Sequence, residues 1–134
     1  IYDTFICGLT CQRQALVERI EKRVDGMIAD GLIEEIRGLL RQGVSFDDQS
    51  MQGIGYKEWR GYFEGRETID QAREQILTHT RQFSRRQMTW FTRQTPIRWA
   101  AVDQPGEKEQ AVAEIAGWLK EECSWKHRYK DWNC

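Results

Sequence analysis

The sequence predicts a mostly α-helical polypeptide with two short strands, and three observations lead there. Apolar residues recur at spacings of three and four along several segments. A stretch from Thr68 to about Gln94 runs without Gly or Pro. Two brief apolar runs, Tyr2 to Leu9 and Ile97 to Val102, sit beside turn formers and read as buried strands. With 134 residues, 40% of them hydrophobic, the chain can build one modest core.

In chain order, Phe5, Ile6 and Cys7 before Gly8 make the first strand, with no partner strand nearby in sequence. Leu16, Ile20, Val24, Met27 and Ile28 line one side of a helix from Arg13 to Ala29 that ends near Gly31. Ile33, Ile36, Leu39 and Leu40 repeat the pattern from Leu32 to Gln42, and Gly43 supplies the stop. Val44 to Ser50 reads as a polar loop, after which Met51 to Tyr56 leads into a short helix carrying Trp59, Tyr62 and Phe63 up to Gly65. Thr68 and Gln71 form a capping box that opens the longest helix, and Pro96 closes it. After the second strand come a turn at Gln104-Pro105-Gly106 and a last helix, Glu107 to Cys123, with Val112, Ile115, Trp118 and Leu119 inside. The organisation expected is a core portion over residues 1–103, a helix over 104–123 and a basic, aromatic tail over 124–134 whose composition suits disorder. No internal repeat or low-complexity linker appears.

A formal net charge of −1, with 31% charged residues of both signs, gives no global attraction to nucleic acid or membrane, so any such attraction must be local. No segment approaches the ~20 apolar residues of a membrane span. Cys7, Cys11, Cys123 and Cys134 form no Cys-x-x-Cys pair, and His79 and His127 stand apart from any ligand cluster, which argues against zinc. Reduced thiols in a cytoplasmic protein are expected. Ile1-Tyr2-Asp3-Thr4 opens abruptly, with neither an initiator Met nor a basic leader, as if cut from a longer chain.

The stretch Gln75 to Val102 holds Arg81, Arg85, Arg86, Arg93 and Arg98 and no acidic residue. On a helical wheel Ile69, Ala72, Ile76, Phe83, Gln87 and Trp90 share one narrow face, and the arginines spread over the other. One face should pack while the other offers guanidinium forks that can follow a phosphate backbone, with Thr89 and Gln87 free for polar contacts. The alternative is a salt-bridged, solvated face. Gln52-Gly53-Ile54-Gly55-Tyr56-Lys57 is the second informative segment: its glycines let a backbone approach a ligand, and Tyr56 and Lys57 add a stacking face and a cation. A plain turn is the competing reading.

Other chemistry is excluded. Gly26 to Gly31 and Gly38 to Gly43 have the gap of a phosphate loop, but Leu32-Ile33 and Val44-Ser45 stand where Lys-Ser/Thr is required. No Ser/His/Asp set forms, and Glu34-Glu35 and Glu121-Glu122 read as solvated helix faces.

Four ordered motifs, Leu16 to Met27, Gly31 to Ile36, Met51 to Glu58 (MQGIGYKE), and Thr80-Arg81 with Arg85 to Phe91, closely resemble the tRNA dimethylallyltransferase family over roughly residues 1–102. The resemblance implies an α/β parent fold, a phosphate-loop core with a helical insertion, of which this chain is a mostly helical piece. It implies transfer of a dimethylallyl group from its diphosphate to N6 of adenosine 37 in the tRNA anticodon loop, with Mg2+ on the diphosphate. Arg23 matches the arginine that contacts the diphosphate, where it would stabilise charge on the leaving group. An ion pair with Asp25 or Glu21 is the alternative for that side chain.

By the same resemblance Gln52, Gly53, Ile54, Gly55, Tyr56 and Lys57 lie against tRNA, as do Arg81, Arg85, Arg86, Gln87, Thr89 and Trp90. Ser84-Arg85-Arg86-Gln87 replaces a more usual Ala-Lys-Arg-Gln, and Thr92 intervenes before Arg93. The phosphate loop, the aspartate base and the helical insertion are absent from these residues, so the chain alone should be catalytically silent. The complete enzyme is expected to be a monomer without membrane contact, and the isolated chain could oligomerise through an orphaned sheet edge. The alternative is a stand-alone helical module, derived from the family, for RNA or protein binding.

Overall fold

The computed structural model describes residues 4–93 and 96–125, so Tyr2, Gln94 and the tail beyond 125 lie outside the described residues. The order is β1 (Cys7–Thr10), α1 (Arg13–Ala29), α2 (Leu32–Arg41), 3-10 turns at Gln49–Gln52 and Lys57–Trp59, α3 (Arg60–Phe63), α4 (Ile69–Phe91), β2 (Arg98–Ala101) and α5 (Glu107–Trp125). The chain packs as two compact units, one from Leu16 to Trp90 and one from the residues up to Ala15 together with those from Phe91 onward.

In the helical unit the expected stripes meet. Val24 of α1, Leu32 and Ile36 of α2, and Ala72, Ile76 and Leu77 of α4 are buried together with Met51 and Trp59. Ile36 and Trp59 are fully enclosed, each contributing roughly 1.5–3 kcal/mol by transfer from water. Capping fixes the helix ends. Thr68 N–H donates to Gln71 Oε1 at 2.8 Å and Gln71 N–H to Thr68 Oγ1 at 3.2 Å, the reciprocal pair that the Thr-x-x-Gln spacing predicts. At the end of α2, Gly43 N–H donates to the Leu40 carbonyl and Val44 N–H to that of Leu39, with Gly43 at φ +90°. This is the Schellman arrangement, whose left-handed residue is comfortable only for glycine.

Two expectations need correction in this unit. The segment Val44 to Ser50 is not simply polar: Phe46 is buried, and its ring lies 6.0 Å from that of Phe63. The apolar face of α4 packs only along its first half. Phe83 is 49% and Trp90 58% exposed, because the core of this unit surrounds Ala72 to Leu77 and α4 runs on beyond it.

In the other unit β1 and β2 pair with each other in parallel, Cys7 opposite Arg98 and Thr10 opposite Ala101. The first strand therefore has its partner far along the chain. Arg98 binds the carboxylate of Glu114 through Nε at 2.7 Å and Nη2 at 3.1 Å, and that of Glu107 through Nη1 at 2.9 Å, which docks α5 on β2. Asp103 Oδ2 accepts the Gln12 N–H at 2.8 Å, and the rings of Phe5 and Trp118 lie 6.1 Å apart.

Candidate functional site

A cleft of about 510 Å3 opens in the helical unit. The buried side of α1, with Leu16, Ile20, Val24 and Met27, forms one wall, Ile76, Thr80 and Phe83 of α4 another, and Ile54 with Gly55 the lip between them. Arg19 and Arg23 also line it, and no carboxylate does. One turn apart on α1, their guanidinium groups repel one another mildly unless an anion sits between them.

Arg23 makes no ion pair among the described residues, because the carboxylates that could hold it are engaged elsewhere. Asp25 accepts a fork from Arg73, Nε to Oδ1 at 2.6 Å and Nη2 to Oδ2 at 3.0 Å. That fork holds the Asp25 carboxyl below its ordinary range. Glu21 lies 3.9 Å from Arg81, a loose surface contact. The competing reading of Arg23 as a surface ion pair therefore does not describe this structure. Arg19 was not anticipated from sequence; its place one turn before Arg23, on the side of α1 that carries Leu16 and Ile20, is the signal that could have found it.

The glycine segment is a built turn with one face on the cleft. Gly55 has φ +102°, a conformation that side-chain-bearing residues rarely adopt, whereas Gly53 is extended at φ −66°. Gln52 Nε2 donates to the Phe46 carbonyl at 2.6 Å, and the Tyr56 hydroxyl donates to Glu35 Oε1 at 2.6 Å. That bond pushes the Tyr56 phenol up from its ordinary pKa, keeping it protonated. Tyr56 is thus moored to α2, while Gln52, Gly53 and Lys57 remain exposed. The turn presents Ile54 and Gly55 to the cleft.

Across the stretch Gln75 to Val102 the predicted cations separate. Arg98 is withdrawn into Glu107 and Glu114, and Arg81 approaches Glu21. Arg85 and Arg86 are exposed and carry no ion pair among the described residues. Gln87 and Trp90 are exposed beside them, and the Thr89 hydroxyl donates to its own helix at the Arg85 carbonyl, 3.0 Å away. Sequence reasoning also missed Glu58, a buried carboxylate inside MQGIGYKE that sits 2.6 Å from His79 Nδ1. His79, set aside for lack of a triad, has this one acidic partner.

No group of three or more His, Cys, Asp or Glu among the described residues could hold a metal ion. No helix among them is long and apolar enough to cross a membrane.

Residues 1–94 match the family described as IPP transferase. The chain is 44% identical over 119 residues to a tRNA dimethylallyltransferase of Geobacillus kaustophilus, covering 89% of this chain and 38% of that protein. It is 46% identical over 115 residues to one of Pelotomaculum thermopropionicum, covering 86% and 37%. The crystal structure of a tRNA delta(2)-isopentenylpyrophosphate transferase from Staphylococcus epidermidis superposes with a TM-score of 0.81 at 34% identity, covering 91% of this chain and 39% of that one. A tRNA isopentenylpyrophosphate transferase from Bacillus halodurans gives 0.79 at 35% identity, covering 92% and 41%. The chain spans less than half the length of each of these relatives.

Proposed function

This chain belongs to the IPP transferase family, and from that premise we propose that it is the C-terminal, RNA-facing portion of an enzyme that moves a dimethylallyl group from its diphosphate to N6 of adenosine 37 in tRNA. One observation carries the reading. Two guanidinium groups with no ion pair among the described residues, Arg19 and Arg23, stand a turn apart on an apolar cleft that no described carboxylate lines. An apolar, branched five-carbon group with an anionic head suits that lining. As the allylic C–O bond breaks, electrons move onto the diphosphate, and the two arginines stabilise the charge where it grows. The apolar walls exclude water from the allyl group until the new C–N bond forms. The N6 proton leaves to a base supplied by residues other than these.

Arg85 and Arg86, without an ion pair among the described residues, hold the phosphates of the anticodon loop, and Gln52 to Lys57 meet the unstacked base. Gln87 and the exposed indole of Trp90 offer an amide and a stacking face on the same helix. In the complete enzyme Mg2+ would be held by residues other than these and would supply charge neutralisation at the diphosphate. The phosphate-loop core belongs to that complete protein, a cytoplasmic monomer, and the present chain alone is catalytically silent.

The test is transfer of labelled dimethylallyl from its diphosphate to an anticodon stem-loop by the complete protein. Label should appear when position 37 is adenine and not when it is guanine. Mixing this chain with a separately purified upstream half should restore transfer that neither gives alone. Absence of label from the RNA with the complete protein would refute the proposal, and failure of mixing alone would favour an independent RNA-binding module.

A further inference from the structure

Among the described residues a single charged side chain is buried, Glu58 at 3% exposure. A carboxylate taken from water persists only where both oxygens are matched by donors. Here Oε2 accepts the Gly55 N–H at 2.8 Å, and Oε1 lies 2.6 Å from His79 Nδ1. The two partners belong to different elements, the glycine turn and α4. Gly55 needs its left-handed conformation and lines the cleft beside Ile54, while His79 immediately precedes Thr80, which lines the cleft from the α4 side. Backbone bonds alone close the turn only on itself, Tyr56 and Lys57 N–H both donating to the Gly53 carbonyl. Glu58 is the polar tie from that turn to α4.

We propose that Glu58 is a positioning residue, one that fixes the Ile54–Gly55 lip of the cleft against α4 through the Gly55 amide and the His79 ring. Resting on the prenyl-transfer reading, this assigns Glu58 the alignment of the acceptor base with the allylic carbon, while Arg19 and Arg23 hold the head group. Loss of the tie therefore lowers turnover and leaves donor binding in place. Gln at this position keeps an oxygen for the Gly55 amide and offers a side-chain amide N–H to His79 Nδ1 once the ring carries its proton on Nε2, so the contacts are retained without the charge.

The experiment compares the complete protein with its Glu58→Ala, Glu58→Gln and His79→Ala forms, measuring amide hydrogen exchange at Gly55 and steady-state transfer to an anticodon stem-loop. Glu58→Ala should accelerate exchange at Gly55 and lower kcat about 10- to 100-fold, the scale of a misplacement near 1 Å. KM for dimethylallyl diphosphate should stay within about threefold. Glu58→Gln should recover most of the turnover, and His79→Ala, which keeps the Gly55 bond, should fall between. Should Glu58→Ala fail to fold, Glu58→Gln and His79→Ala still decide: unaltered turnover in His79→Ala, or a Glu58→Gln form crippled in turnover, overturns the proposal. So does a loss confined to KM. If the unaltered protein transfers nothing while Gly55 exchange follows the stated order, the prenyl-transfer reading falls and the anchoring stands. If the unaltered protein is active and Gly55 exchange ignores Glu58→Ala, the anchoring alone falls.

Discussion

Arg23→Gln removes a cation that no carboxylate among the described residues holds, on an exposed helix position one turn from Arg19. For folding, the substitution deletes no ion pair and relieves a like-charge contact, so unfolding free energy should move by no more than ~0.5 kcal/mol in either direction. For chemistry, one donor aimed at the charge of a departing oxyanion carries about 10²- to 10³-fold in turnover. The two numbers separate a functional arginine from a structural one. Arg73→Gln is the matched control, since Arg73 forks onto Asp25 between α4 and α1 and does not line the cleft. It should shift the urea midpoint downward and leave the turnover of folded protein nearly unchanged. Urea unfolding of this chain and single-turnover transfer by the complete protein provide both readings. A midpoint for Arg23→Gln that falls as far as that of Arg73→Gln, or a turnover within about threefold of the unaltered protein, would refute the assignment.

Leu77→Ala empties a site that is 1% exposed in the helical core and should cost about 2.7–5 kcal/mol in urea unfolding, with a smaller loss meaning that the core collapses around it. Arg85→Glu with Arg86→Glu should weaken tRNA binding by the complete protein and flatten the plot of log affinity against log salt by about 1.4, the single-strand value for two phosphate contacts; an unchanged slope would mean that these residues touch no phosphate. Arg98 holds the Glu114 carboxyl below its ordinary range. A group whose folded pKa is depressed contributes stability that is complete above its unfolded pKa and lost as pH falls through the folded one. Amide protection in α5 should therefore decline on acidification below the ordinary carboxylate range. In Arg98→Met that part of the pH dependence should vanish.

The helices were legible because their signals are local. The three-and-four spacing of Leu32 to Leu40, the Thr68 to Gln71 box and the Gly43 stop each act within a turn or two, and the structure repeats them. What sequence concealed depends on distant residues. Parallel pairing of Cys7–Thr10 with Arg98–Ala101 cannot be read from either strand alone. Phe46 looks like loop until Phe63 is found against it. The unequal fates of the arginines turn on where carboxylates fall in space: Glu107 and Glu114 claim Arg98, Arg73 claims Asp25, and Arg23 is left facing the cleft. Glu58 escaped notice because a Glu beside a Lys at a turn reads as surface, and only the Gly55 amide and the His79 ring explain its burial.

The pairing of β1 with β2 also bears on how the polypeptide is made. The strands' partners are separated by the whole helical unit, and the Gln12 amide waits for an acceptor 91 positions later. At ~5–20 residues per second, a ribosome needs roughly 5–18 seconds to deliver that stretch. During that interval β1 lacks β2, while the helices between can already collapse. The pairing of β1 with β2 is thus a late event in synthesis, completed only when Arg98 to Ala101 clear the exit tunnel.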